Sequence, residues 1–273
     1  MDTEQSQLRS DNFAYFASLV VALLMAAVSI AGIGANSYPT EALRQAFVPN
    51  DTVNLVLGLP ILLGSMRSAR RGQLAGRLFW PGALLFVLYT YLAYLLALPL
   101  SVWSLIYLLL VIMSLAATVA LLTRSDTLAI QRRLSGVVPE RLVGGVLAGL
   151  GALFLLRALG VIVSASNGSS VVLPADLAVS IADLVITPLW MIGGVLLWRH
   201  QPFGYAIGVG LLFQASLLFV GLILVLILQP LVSGAAFRLT DVVVIFVMGL
   251  ICFIPFTIML RGMLKAKISL KGS

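Results

Sequence analysis

The chain has one cysteine, Cys252, one histidine, His200, and no lysine within any of its long apolar stretches. A single cysteine forms no internal disulfide, and the lack of a C-x-x-C pair argues against thiol redox chemistry. With no histidine in the apolar stretches, the chain offers neither bis-histidine haem ligation nor a histidine-built metal site. With no lysine there, a retinal Schiff base is excluded. Phosphate-binding loops, HExxH, a nucleophile elbow and paired catalytic carboxylates are all missing. The chain therefore reads as a non-enzyme with no cofactor and no metal.

Charge is scarce too. Only 10% of the 273 residues are charged, against 61% hydrophobic, with a mean hydropathy of +1.10. Ordinary globular chains are about 45–50% apolar and about 25% charged. Apolar runs of roughly 20 residues, the length that crosses a bilayer as a helix, recur throughout. The fold class expected is an all-α membrane protein with eight transmembrane helices, near 13–34, 51–67, 77–98, 102–123, 143–165, 177–198, 204–228 and 241–260. A transmembrane β-barrel would show short alternating strands instead.

The net charge of +7 does not point to nucleic acid, because the basic residues sit between the spans. Arg67, Arg70, Arg71 and Arg77 fall in one loop, and Arg124, Arg132, Arg133 and Arg141 in another. Arg199 and His200 fall in a third, and Arg261, Lys265, Lys267 and Lys271 in the tail. The intervening loops hold at most one arginine each. Eight spans place every basic loop on one side, so the positive-inside rule puts both termini in the cytoplasm.

Ionisable groups within spans are costly and are functional candidates by default. Asp51, Asn54, Gly58 and Ser65 fall within about 60° of one another on a helix, forming a polar stripe that must face protein or water. Two readings stay open. Asp51 caps the start of its helix, with Asn54 bonded to a neighbour, or these residues line a cavity open to the outer side. Thr40–Phe47 reads as a short surface helix ended by Pro49, with Thr40 as its cap. Arg157 and Asp183 both lie roughly 10 Å below the outer face and are expected to pair, either as a fixed structural pair or as one that an anionic ligand opens. Gln214 reads as an interhelical hydrogen bond or a ligand contact. Tyr91 and Tyr94 share a face, with Tyr89 on the opposite side, and Tyr91 is a candidate for the cavity wall. Asp241 reads as the cap of the last helix. The glycine-rich run at 143–151 lies within a span, where small residues let helices pack closely.

An ungapped shift of 129 residues lays Asn54 on Asp183, Gly64 on Gly193 and Arg70 on Arg199, while Pro60 and Pro188 miss by one. This suggests two parallel four-helix halves, 1–136 and 137–273. Internal repeats are frequent in transporters, whose sites lie at the repeat interface.

The segments NDTVNLVLGLPILLGSM, ARRGQLAGRLFWPG and LYTYLAYLLALP, with LLWRHQPFGY further on, resemble an uncharacterised family of prokaryotic multi-pass membrane proteins with no assigned function. The resemblance implies a prokaryotic inner (plasma) membrane and brings no activity or site residues. The leading expectation is a protein that binds or transports a small, anionic solute in a pocket lined by Asp51, Asn54, Tyr91, Arg157, Asp183 and Gln214. The alternatives are a non-catalytic subunit of a larger membrane complex, or a lipid-acting enzyme. The expected partners are the lipid bilayer, the solute, and a membrane protein or a second copy of the chain.

Overall fold

The computed structural model describes the backbone of residues 2–34, 38–168, 172–234 and 236–269, with the side chains of these except 2–11 and 265–269. The tail lysines thus lie outside the described side chains. Among the described residues the fold is helical, and eight helices are long and apolar enough to cross a membrane. They are α1 (Asp2–Gly34), α2 (Glu41–Arg70), α3 (Leu74–Ala97), α4 (Val102–Thr123), α6 (Glu140–Ser166), α7 (Pro174–Trp198), α8 (Pro202–Ser233) and α9 (Leu239–Ser269). A short α5 (Thr127–Leu134) joins the two sets of four.

α2 corrects the sequence reading. The expected surface helix does not stop at Pro49, and Asp51 does not cap a new one. A single helix starts at Glu41, capped by Thr40, whose hydroxyl accepts from the Leu43 N–H at 3.3 Å. It then runs through Pro49 into the apolar span. Lower down it widens into one π turn, Asn54–Gly58, closed by the Leu59 N–H donating to the Asn54 carbonyl. Pro60 follows after Leu59. A proline inside a helix has no N–H to donate and presses on the carbonyl four residues back. One extra residue in the preceding turn relieves that crowding. Asp241 is likewise not a cap, because α9 begins at Leu239 and places it in the first turn.

α3 is the central helix, with 72% of its apolar window buried against 22% for α6 and α9. Leu84, Phe86 and Tyr91 enter a core shared with α1, α2 and α4, while Leu78, Leu85 and Leu88 enter one shared with α6–α9. α3 crosses α8 at glycines: a Cβ on Gly82 would strike the Gly210 carbonyl, and one on Gly210 would lie 2.9 Å from the Leu78 carbonyl. The glycine-rich run sits in α6 against α7, with backbone touching backbone at Gly144, Gly151 and Gly194. Replacing Thr40 with alanine is expected to weaken the start of α2 by about 1 kcal/mol. Faster amide exchange confined to the first turns of α2 would report it.

The α2–α3 and α7–α8 turns share one backbone. Gly72 and His200, 128 residues apart, both take left-handed φ, +71° and +54°. Gly72 N–H donates to Ala69 O and Gln73 N–H to Ser68 O; His200 N–H donates to Leu197 O and Gln201 N–H to Leu196 O, at the same offset. Gly76 and Gly204 each lie where a Cβ would enter the backbone of the preceding helix, at Ser68–Ala69 and Leu196–Leu197. The turns therefore pair Arg71, not Arg70, with Arg199. Gly64 correspondingly faces open space while Gly193 packs on Leu211.

Candidate functional site

Five of the six sequence-predicted residues gather in two places, on opposite sides of α3, and Gln214 stands apart from both. The first is built around Asp51, which is 1% exposed. Its Oδ2 accepts from the Tyr38 hydroxyl, and the Tyr94 hydroxyl lies 3.1 Å from Oδ1 and 3.2 Å from the Phe47 carbonyl. Gly32 of α1 lets the carboxylate approach, since a Cβ there would collide with it. Tyr91 is fully buried beside it, its hydroxyl 3.2 Å from Ser29 Oγ. The rings of Tyr91, Tyr94 and Tyr107 pack with centroids 5.3–5.8 Å apart. Tyr38, in the loop before α2, has its phenol pushed well above the usual tyrosine range by burial and then by Asp51, so it stays a donor.

Among the described residues, ion pairs join Arg44 to Glu41 and Arg157 to Asp183, and no cationic side chain lies within ion-pair distance of Asp51. Asn54 sits one turn deeper, 1% exposed. Its Nδ2 makes no hydrogen bond of good geometry among the described residues, although its side chain lies close enough to the Tyr91 hydroxyl to interact with it.

The second centre is the expected ion pair. Arg157 Nη1 lies 3.1 Å from Asp183 Oδ2. The two residues come from the halves of α6 and α7 next to the loop that joins them, each nine residues, or about 14 Å, from the helix end. The partners differ in exposure: the Arg157 side chain is 47% exposed and that of Asp183 8%. The other carboxylate oxygen, Oδ1, accepts from the Tyr89 hydroxyl at 2.9 Å. One turn deeper, the buried Thr187 Oγ1 has no partner among the described residues. Asn54 Nδ2 and Thr187 Oγ1, each one turn beyond a carboxylate, are two of the three buried side-chain atoms left without a well-formed hydrogen bond among the described residues, Ser114 Oγ being the third. Such atoms are rare in folded proteins, and each calls for a cause.

Gln214 belongs to neither centre. Its Oε1 accepts from Trp190 Nε1 at 3.0 Å and its Nε2 donates to the Leu85 carbonyl at 3.2 Å, so it ties α8 to α7 and α3 with both ends used. The site residues not proposed as lining from the sequence are the hydroxyl donors Tyr38, Tyr89 and Tyr94, and the Trp190 indole holds Gln214. The five-residue step from Tyr89 to Tyr94 turns them about 140° apart, which was a usable signal that α3 serves two neighbours. Nothing in the sequence marks Tyr38, because a loop reaches its partner through tertiary structure alone. Comparisons with protein-family models, with curated proteins and with solved structures find no match for the chain.

Proposed function

We propose that this chain is a carrier of a small anionic solute in a prokaryotic cytoplasmic membrane, with both termini inside and its solute site opening to the outer side. The alternation of basic and charge-poor loops supports the orientation. Two parallel four-helix halves form the frame. The shared turn supports this, and so does the π turn read as a one-residue insertion. Up to the first residue of the π turn the halves align at 129, Asn54 on Asp183. Below it they align at 128, Pro60 on Pro188, Arg71 on Arg199 and Gly82 on Gly210.

The observation that carries the proposal is the unequal Arg157–Asp183 pair. The Arg157 side chain is half-exposed, and its fork suits a carboxylate or phosphate. Asp183 keeps Tyr89 when Arg157 turns to a solute, and the Thr187 hydroxyl lies just beneath to receive a polar group. Asp51 supplies what a coupled carrier also needs. It is a buried carboxylate held by tyrosine hydroxyls, which can donate to the charged acid or accept from the protonated one, so it can hold a travelling proton or small cation.

The test is a thermal-shift and uptake screen of small carboxylates and phosphate esters on protein in liposomes. A hit is expected to bind wild type and to lose at least tenfold in affinity in Asp183→Asn and Arg157→Gln, with both variants folded. If no compound binds and both changes alter only stability, the carrier reading fails. The competing accessory-subunit reading, which Gln214 favours by acting purely as a fastener, then stands.

A further inference from the structure

At the opposite end of α1–α4 from Tyr38, the helix ends enclose a cavity of about 400 Å³, whose lining includes Tyr15, Arg70, Arg77, Trp80 and Arg124. A second, of about 310 Å³, shares Tyr15 and Arg70 and adds Arg67 and Arg71. The Arg70 guanidinium stacks on the Tyr15 ring at 4.2 Å, which fixes one edge of its fork. Trp80 forms an apolar floor, its indole N–H satisfied by Ser18 Oγ at 2.9 Å. Among the described residues, the one acid in the lining of either cavity, Asp126, already caps α5 by accepting from the Ala129 N–H at 2.9 Å.

The matching corner of the other half is built differently. By the shared turn, Arg67 corresponds to Val195, Arg70 to Trp198 and Arg77 to Tyr205. Trp198 lies against Gly145, and Tyr205 is fully buried with its hydroxyl 3.0 Å from Glu140 Oε1. Both turns keep one arginine, Arg71 and Arg199. Membrane topology accounts for a basic residue in each, but not for three more, Arg67, Arg70 and Arg77, spread over two neighbouring cavities in one half only.

We propose that this cavity binds a phosphoryl group, with Arg70 and Arg77 as its forked ligands and Trp80 against the ligand's apolar part. Clustered arginines between helix ends at a membrane surface suit such a group by charge and by bidentate geometry. The phosphoryl group is that of an anionic lipid headgroup or of a soluble phosphate ester.

The test uses the full chain, delipidated in neutral detergent, with phosphatidylglycerol, phosphatidylcholine and glycerol phosphate as probes, read by native mass spectrometry and thermal shift. Phosphatidylglycerol is expected to bind at least tenfold more tightly than phosphatidylcholine. Arg70→Gln/Arg77→Gln should remove that preference, and Arg132→Gln/Arg133→Gln, basic residues outside the cavity, should leave it. A response to glycerol phosphate at least as strong identifies a soluble ester as the ligand class. The unliganded thermal transition shows whether each variant is folded. Should Arg70→Gln/Arg77→Gln misfold, Arg70→Lys/Arg77→Lys, which keeps charge but not the fork, must still weaken binding. Absence of discrimination among the three probes overturns the proposal, as does equal loss in both double variants. Binding seen only when Asp2, Glu4 and Asp11 are neutralised also overturns it, in favour of the chain's own N-terminal acids.

Discussion

Replacing Arg157 with alanine is expected to destabilise the protein by about 2 kcal/mol, and replacing Asp183 with alanine as well to recover much of that loss. Removing one partner of a buried pair costs about 3–5 kcal/mol, because the remaining charge is left uncompensated. Two features reduce the cost here. The Arg157 side chain is half-exposed rather than buried, and Asp183 retains the Tyr89 hydrogen bond. The double variant has no charge left to strand, so the cycle should show a strong coupling between the two sites. Thermal unfolding of the four proteins in one detergent measures it. Additive losses would mean that the contact does not persist in the folded protein. Recovery of stability without recovery of solute binding would place the pair in the solute site rather than in the scaffold alone.

A larger loss is expected from Gly194→Leu. A Cβ at this position would lie 2.6 Å from the Gly144 carbonyl and 2.7 Å from the Ala148 amide nitrogen. Both neighbours are backbone, so no side chain can rotate away, and α6 and α7 must part. Overpacking in a well-packed core typically costs about 1–3 kcal/mol. A leucine against two fixed backbones belongs at the top of that range, at about 3 kcal/mol. Gly149→Ala and Gly160→Ala, on the facing helix α6 but pointing into open space, make the control. They should be neutral or should stabilise α6 by up to about 1 kcal/mol, since glycine is the poorer helix former. If Gly194→Leu melts with the controls, the close approach of α6 and α7 is refuted.

The sequence made the spans legible because apolar length is a local property, and it made the Arg157–Asp183 contact legible because two opposite charges at matching depth have few other partners in hydrocarbon. Other features were hidden for specific reasons. Pro49 looked like a stop, yet α2 passes through it with Thr40 starting the helix well upstream. Asp51 looked like a cap because its role depends on Tyr38 and Tyr94, which are distant in sequence. Under the proposed two-half frame, Pro60 and Pro188 miss by one at a shift of 129 because a π turn adds a residue that no composition pattern announces. The charged corner at Arg70 and Arg77 looked like ordinary topology until the matching corner, with Trp198 and Tyr205, gave it a contrast.

Helix α3 holds Asp183 through Tyr89 on one side and Asp51 through Tyr94 on the other, at 2.9 and 3.1 Å. It is a rod strung between two acids. A sideways shift of about 1 Å toward either acid stretches the other bond beyond hydrogen-bond reach. The two centres therefore share one mechanical coordinate. Under the carrier reading, a change of grip at one acid is expected to be felt at the other through α3 itself, without a loop between them.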